Sequence, residues 1–223
     1  MITPVDYKNK YTEKESYFLA KEIMDNVVFP VVLEPHQVDD VHMVLSHILQ
    51  GNKGCQLLEG TGTGKTYIYS AVLKCLAETG WSNQIPVVCS MFQVVVCSKS
   101  GPLEQARRVL RVFGLLGEKP VIRILVTNYD QLRSSLGDLL IEWKSSVIGG
   151  EMQLDPAWKI MFAPAMIIWD ENQALKNENS LQTKIARAYT NVGHAQSAFN
   201  LYSSATPFTK PIESRCVVVG CGI

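Results

Sequence analysis

Lys65 and Thr66 close the run Leu57-Leu58-Glu59-Gly60-Thr61-Gly62-Thr63-Gly64-Lys65-Thr66, whose residue types and spacing suit a phosphate-binding loop. Gly60, Gly62 and Gly64 fall on alternate positions and let the backbone curl tightly with its N–H groups turned inward. The short, mostly apolar stretch from Cys55 to Leu58 predicts a strand before the loop. After it, Tyr67, Ile68, Ala71, Val72 and Leu76 recur at helical spacing, so the loop opens a helix. A helix start offers free N–H groups and the positive end of its dipole to phosphate. Lys65 then reaches the β- and γ-phosphates of a nucleoside triphosphate, and the Thr66 hydroxyl holds Mg²⁺. Gly60, Gly62, Thr63 and Gly64 form the cradle itself.

A second acidic feature lies downstream. Met166-Ile167-Ile168-Trp169 predicts a strand that ends in Asp170-Glu171. Beside a bound triphosphate, Asp170 would hold Mg²⁺ through water, and Glu171 would orient and deprotonate the attacking water. Acidic pairs at strand ends are common, so this pair gains meaning only from its place after the loop.

Both features need a scaffold. The pattern predicts a helix over Glu13 to Asn26 and another after Leu33-Glu34-Pro35-His36-Gln37, with the stripe Val38, Val41, Leu45 and Ile48. Residues 87 to 98 read as β, with Val94-Val95-Val96 as a buried strand. A helix from Pro102 to Phe113 has the stripe Leu103, Ala106, Leu110 and Phe113, and Arg107, Arg108 and Arg111 fall off it. Val121 to Val126 predicts a strand, followed by Asn128-Tyr129-Asp130 and a helix holding Leu132, Leu136 and Leu140. Residues 143 to 163 lack a period and read as a loop-rich insertion. Leu181, Ile185 and Tyr189 mark a helix, Ala198 to Tyr202 a strand, and Cys216 to Val219 a last strand. Strands alternating with helices predict an α/β fold: a mostly parallel sheet with helices on both faces. Such sheets bind ligands at the carboxyl ends of their strands, where the loop and the acidic pair fall.

Composition fits one substantial core. The chain has 223 residues, 47% hydrophobic and 19% charged, with zero formal net charge. No broad basic field exists to drive association with a polynucleotide, so such contacts must be local or shared with another domain. The six cysteines form no C-x-x-C pair, and several lie in apolar runs, which predicts a reducing, intracellular setting. The histidines show no metal-ligand grouping with cysteine. The polar N-terminus carries no signal-peptide pattern, and no apolar run is long enough for a bilayer, so a soluble protein is expected.

Several segments together resemble the Swi/Snf-type superfamily-2 ATPases, related to the DEAH-box helicases. Asp170-Glu171-x-Gln173-x-Leu175-Lys176-Asn177-x-x-Ser180 is similar to their acidic box and the "LKN-x-x-S" segment after it. Val94-Val95-Val96-Cys97-Ser98-Lys99-Ser100 resembles their "VVCPKS" segment, and Leu125-Val126-Thr127-Asn128-Tyr129-Asp130-Gln131-Leu132-Arg133 their strand-end "T-S/T-Y-E/D-x-L-R". Leu33-Glu34-Pro35-His36-Gln37 resembles "LRPYQ", and Ser203-Ser204-Ala205-Thr206-Pro207 resembles helicase motif III. These segments keep the family's order over roughly residues 33 to 207. Glu59, where the general phosphate loop has glycine, fits the variant loops of superfamily-2 helicases. Two departures stand out: Gln173 replaces the usual histidine, and motif III reads Ser-Ala-Thr-Pro rather than Thr-Gly-Thr-Pro.

The resemblance implies a RecA-like ATP-binding domain over 33–223, preceded by a helical extension over 1–32. It implies that Gln37 reads the adenine edge, and that Gln173, Ser204 and Thr206 couple ATP to nucleic acid. It implies that Lys99, Thr127 and Asn128 touch a polynucleotide backbone, duplex DNA in preference to RNA. The plainer readings are a surface lysine and a strand-end cap; Arg107, Arg108, Arg111, Lys184 and Arg187 read as solvated helix faces. Cofactors would be ATP and Mg²⁺. Motors of this kind close two RecA-like lobes on ATP, and the second lobe supplies an arginine worth about 10³ to 10⁵ in rate, roughly 4 to 7 kcal/mol. No second lobe is legible in this sequence, so a partner lobe is expected, in the same parent protein or in another chain. The alternative is a stand-alone nucleotide- and nucleic-acid-binding module with negligible turnover, which would have no need of Glu171.

Overall fold

The computed structural model describes residues 10–80, 92–97, 100–118, 122–134, 141–158, 165–177, 180–195, 199–205, 217–218 and 221. Helix α1 (Glu13–Asn26) begins at a capping box, in which Thr12 and Glu15 satisfy each other's backbone N–H. Its bounds agree with those predicted. Helix α2 (Pro35–Leu49) packs on it, with Pro35 at the helix start, where a missing N–H costs nothing. The buried stripe of α2 is Val41, Val44, Leu45, Ile48 and Leu49, which is i, i+3, i+4, i+7 and i+8. Val38, assigned to that stripe from the sequence, is instead 40% exposed. Ala20, Ile23 and Val27 join this stripe in one cluster, so α1 is continuous with the main core.

Strand β1 (Gly54–Leu58), helix α3 (Lys65–Glu78), strand β2 (Phe92–Cys97), helix α4 (Ser100–Val112) and strand β3 (Arg123–Asn128) follow as two strand–helix–strand units. Next come the short helix α5 (Tyr129–Arg133), a hairpin of β4 (Ile141–Ile148) and β5 (Glu151–Trp158), and strand β6 (Met166–Asp170). A 3₁₀ turn (Asn172–Leu175), helix α6 (Leu181–Ala195) and strand β7 (Phe199–Ser204) complete the fold. The main sheet runs β1-β7-β6-β2-β3 and every pairing in it is parallel.

Alternate residues on its strands feed two separate cores. Met166 and Ile168 of β6, Phe199 and Leu201 of β7 and Val126 of β3 face a cluster with α1 to α4. Ile167, Trp169 and Tyr202 face a second cluster with Tyr129, Leu132, Leu175, Ile185 and Ala186. This period-two division is what a sheet covered on both faces requires. The chain is therefore α/β, with a parallel sheet between two helical layers.

Three expectations change. Residues 143 to 163 are not a loop: 141–158 form an antiparallel hairpin whose turn is Gly149-Gly150, both at positive φ. Paired positive φ is the two-residue turn that matches strand twist, and Gly-Gly supplies it without steric cost. Strand β3 lies two residues later than predicted, because pairing with β2 continues from Phe92↔Arg123 to Cys97↔Asn128. Val217 and Val218 are helical, not extended. Residues 87–91, Leu136, Leu140, Ala198 and Cys216 lie outside the described residues.

Candidate active site

Strand order decides which sequence motifs meet. With β7 between β1 and β6, Leu58 pairs with Ser204 and Asp170 with Ser203. The phosphate loop, Ser203-Ser204 and Asp170-Glu171 thus leave three adjacent strand ends. In the order β1-β7-β6-β2-β3 the connection leaving β2 runs outward to β3 and the one leaving β6 runs back to β7, so the order reverses between β6 and β2, beside Asp170-Glu171. Open α/β sheets place ligands at such a reversal.

The loop has the form the glycines foretold. Gly62 and Gly64 both have φ of 85°, a region open to glycine and strained for other residues. Gly64 is the N-cap of α3, and no side chain caps that helix start. The Thr63 hydroxyl donates to the Gly60 carbonyl at 3.0 Å. Lys65, largely buried, donates its amino group to the carbonyls of Glu59 (3.1 Å) and Gly60 (2.8 Å). Its charge is held inside the curl of the loop, close to where the α3 N–H groups converge. Thr66 follows it in the first turn of α3.

Helix α2 braces the loop from outside. Gln37 donates from Nε2 to the Thr63 carbonyl at 2.8 Å, and its Oε1 accepts the Glu34 N–H at 3.1 Å. His36 Nε2 lies 3.1 Å from the same Thr63 carbonyl. The φ of Gly64 favours glycine, and a Cβ there would also press on the amide end of Gln37, which would have to shift from its bond to the loop. The residue expected to read adenine is in place beside the loop, with its amide engaged on the loop and on the α2 cap. Asp40 of α2 is raised to about 6, first by burial and then by the charge of Glu59. Glu59, the departure from the usual loop pattern, therefore sits against α2.

The acidic end of β6 carries the most backbone tension. Asp170 is 6% exposed, and burial pushes its carboxyl up to about 6. The neighbouring Glu171 charge adds to that push, while the Glu171 N–H and Lys65 pull the other way. Glu171 stands at φ 53°, ψ 46°, the one described non-glycine residue at positive φ. Such a conformation costs about 1–3 kcal/mol and persists only where its surroundings hold it. Next to it Asn172 is fully buried, and neither of its amide atoms has a hydrogen-bond partner among the described residues. An unsatisfied buried polar group costs a further ~1–3 kcal/mol.

What holds Glu171 is a relay. Ser204 donates from Oγ to Gln173 Oε1 at 2.6 Å, and Gln173 Nε2 donates to the Glu171 carboxylate. Gln173 thus joins the end of β6 to Ser204 at the end of β7 by hydrogen bonds through both ends of its amide. Thr206, the other expected coupler, lies outside the described residues, as does Lys99.

The expected polynucleotide contacts at β3 look different. Thr127 is 1% exposed and donates its hydroxyl to Gln131 Oε1 at 2.9 Å. Asn128 accepts the Gln131 N–H at 2.8 Å and completes a capping box on α5. Both side chains serve the strand-end cap, and that of Thr127 is closed off from a ligand. Tyr129 donates its hydroxyl to the Asp170 carbonyl at 3.0 Å, and its ring stacks on Trp169, which stacks in turn on Tyr202. Nothing in the sequence signals that contact, because it joins positions far apart in the chain. Against known proteins, no family model and no curated protein matches this chain.

Proposed function

We propose that the chain is the ATP-binding lobe of a nucleic-acid-dependent ATPase, a RecA-like domain of the Swi/Snf-like superfamily-2 kind. Completed by a second lobe, it would hydrolyse ATP to drive movement on nucleic acid, duplex DNA in preference to RNA. The observation that carries this reading is the bridge Ser204–Gln173–Glu171 across adjacent strand ends, beside a glycine loop that opens an uncapped helix. A simple nucleotide-binding loop explains Lys65. It does not explain a carboxylate tethered to a serine on the intervening strand.

In this reading the α3 N–H groups and Lys65 bind the β- and γ-phosphates, and Gln37 lines the base side. Thr66 and Asp170 would hold Mg²⁺, whose chemistry is to neutralise developing phosphate charge. The residues fit that ion. A buried carboxyl raised to about 6 by desolvation and like charge gains most from a cation. Among the described residues no three His, Cys, Asp or Glu side chains converge, which suits an ion coordinated largely by phosphate and water. Glu171, fixed by Gln173, would take the proton of the attacking water. Among the described residues, no helix is long and apolar enough to cross a membrane.

Steady-state ATP hydrolysis with duplex DNA, single-stranded DNA, RNA or no polynucleotide tests the reading, with Glu171→Gln as the blank. Stimulation above the blank supports it and names the polynucleotide. Binding of Mg-ATP without turnover, even with a second lobe supplied, would favour a binding module instead.

A further inference from the structure

The peptide unit joining Asp170 to Glu171 is held at both ends. Its carbonyl accepts the Tyr129 hydroxyl at 3.0 Å, and its N–H donates to Asp170 Oδ1 at 3.0 Å. Rotating that unit is the simplest way for Glu171 to leave its left-handed conformation, since φ of Glu171 and ψ of Asp170 turn it together. Any such rotation breaks both bonds. Tyr129 itself has little freedom. It is 2% exposed, it lies between β3 and the β6 face, and its ring packs 6.3 Å from Trp169 at 16°. Its backbone is fixed one residue after the N-cap of α5, in the box formed by Asn128 and Gln131.

We infer that Tyr129 is a positioning residue for Glu171. Its hydroxyl locks the Asp170–Glu171 peptide so that the Glu171 carboxylate stays within reach of Gln173, and it ties that peptide to the turn at the end of β3. The side-chain relay from Ser204 fixes the carboxylate end of Glu171, and Tyr129 fixes the backbone end. This rests on the proposed function for what Glu171 does, but the lock itself is a property of the fold.

Tyr129→Phe removes the hydroxyl and keeps the ring. Amide hydrogen exchange in the full chain reads the lock without any turnover. The Glu171 amide should exchange about tenfold faster in the variant, while the amides of Ile167 to Trp169 keep their protection. An unchanged Glu171 amide overturns the inference. So does equal acceleration along the whole of β6, which marks simple destabilisation. The second arm measures Mg-ATP affinity and turnover with DNA and a second lobe. Turnover should fall about tenfold to a hundredfold with affinity kept, and the loss should vanish in a Glu171→Gln background. Turnover equal to wild type also overturns the role. A wild-type chain that neither binds nor hydrolyses Mg-ATP instead overturns the site reading, while the exchange arm still judges the lock.

Discussion

Helices α3 and α5 each begin where a parallel strand of the same sheet ends, and they begin in opposite ways. At α5 the chain closes on itself: Asn128 caps the Gln131 N–H, Gln131 answers the Asn128 N–H, and the Thr127 hydroxyl joins them. At α3 the cap is Gly64, which has no side chain to offer, and the lysine that follows folds back onto loop carbonyls. One turn has satisfied its own helix start. At the other, no side chain among the described residues caps the helix start. Sequence resemblance marked both turns as ligand contacts, and the hydrogen bonds separate them. A polar residue at a strand end that already closes its own helix cap has less hydrogen-bonding capacity left for a ligand.

The difference can be broken or sharpened by experiment. The largest effect should come from Glu171→Gln, which keeps Mg-ATP affinity and lowers turnover about 10²- to 10⁴-fold; retained turnover would remove Glu171 as the base. Lys65→Ala should weaken Mg-ATP binding roughly a hundredfold, as expected for lost charge-assisted hydrogen bonds of about 3 kcal/mol. Calorimetric titration giving unchanged affinity would sink the loop assignment.

Alanine at the two helix caps should then give contrasting signatures. Gly64→Ala meets both positive φ and Gln37, so it should cost about 1–2 kcal/mol of stability and lower nucleotide affinity too. Asn128→Ala should cost about 1 kcal/mol in denaturant unfolding and leave nucleotide affinity unchanged. A nucleotide effect at Asn128 would erase the distinction drawn here.

Acidity offers a finer test between these two in size. Asp170 is raised to about 6, and a carboxyl raised on folding stabilises the fold fully below its unfolded value and loses that contribution as pH climbs through 6. Asp40 acts in the same direction and window. On the proposed role of Asp170 in holding Mg²⁺, Mg-ATP binding should weaken below pH 6, by up to roughly tenfold per unit. For these two groups, then, the empty chain gains stability on acidification while the nucleotide loses its hold. Thermal unfolding with and without Mg-ATP across that range checks both signs, and Asp170→Asn should remove its share of each.

The parts of this molecule legible in the sequence are those fixed by local chemistry. The glycines mark the loop, a short apolar stretch marks β1, and an apolar run ending in Asp170-Glu171 marks β6. The alternation of elements gave the parallel sheet. What escaped depended on distant partners. Nothing near Val126 says that β2 will keep pairing until Asn128. The resemblance grouped Gln173 with Ser204 and Thr206 without saying which of them it bonds, and nothing near Tyr129 says that it reaches Asp170. The hairpin was missed for another reason. Its strands lack clean alternation and include Pro156, a residue at odds with strand pairing, although Gly149-Gly150 was the turn signal to trust.

The sheet order also has a consequence for how the protein is made. Among the described residues, strand β1 lies at the edge of the main sheet and pairs with β7 alone, so the strand that leads into the glycine loop meets that neighbour only after Ser204 has been synthesised. Contacts that span so much sequence form late and slowly. On a ribosome adding about 5–20 residues per second, α1, α2 and α3 can collapse together well before then, leaving the backbone edge of β1 exposed for several seconds. During that interval the nascent chain offers a parallel-pairing template to any neighbour, which makes β1 the natural place to look for chaperone contacts during synthesis.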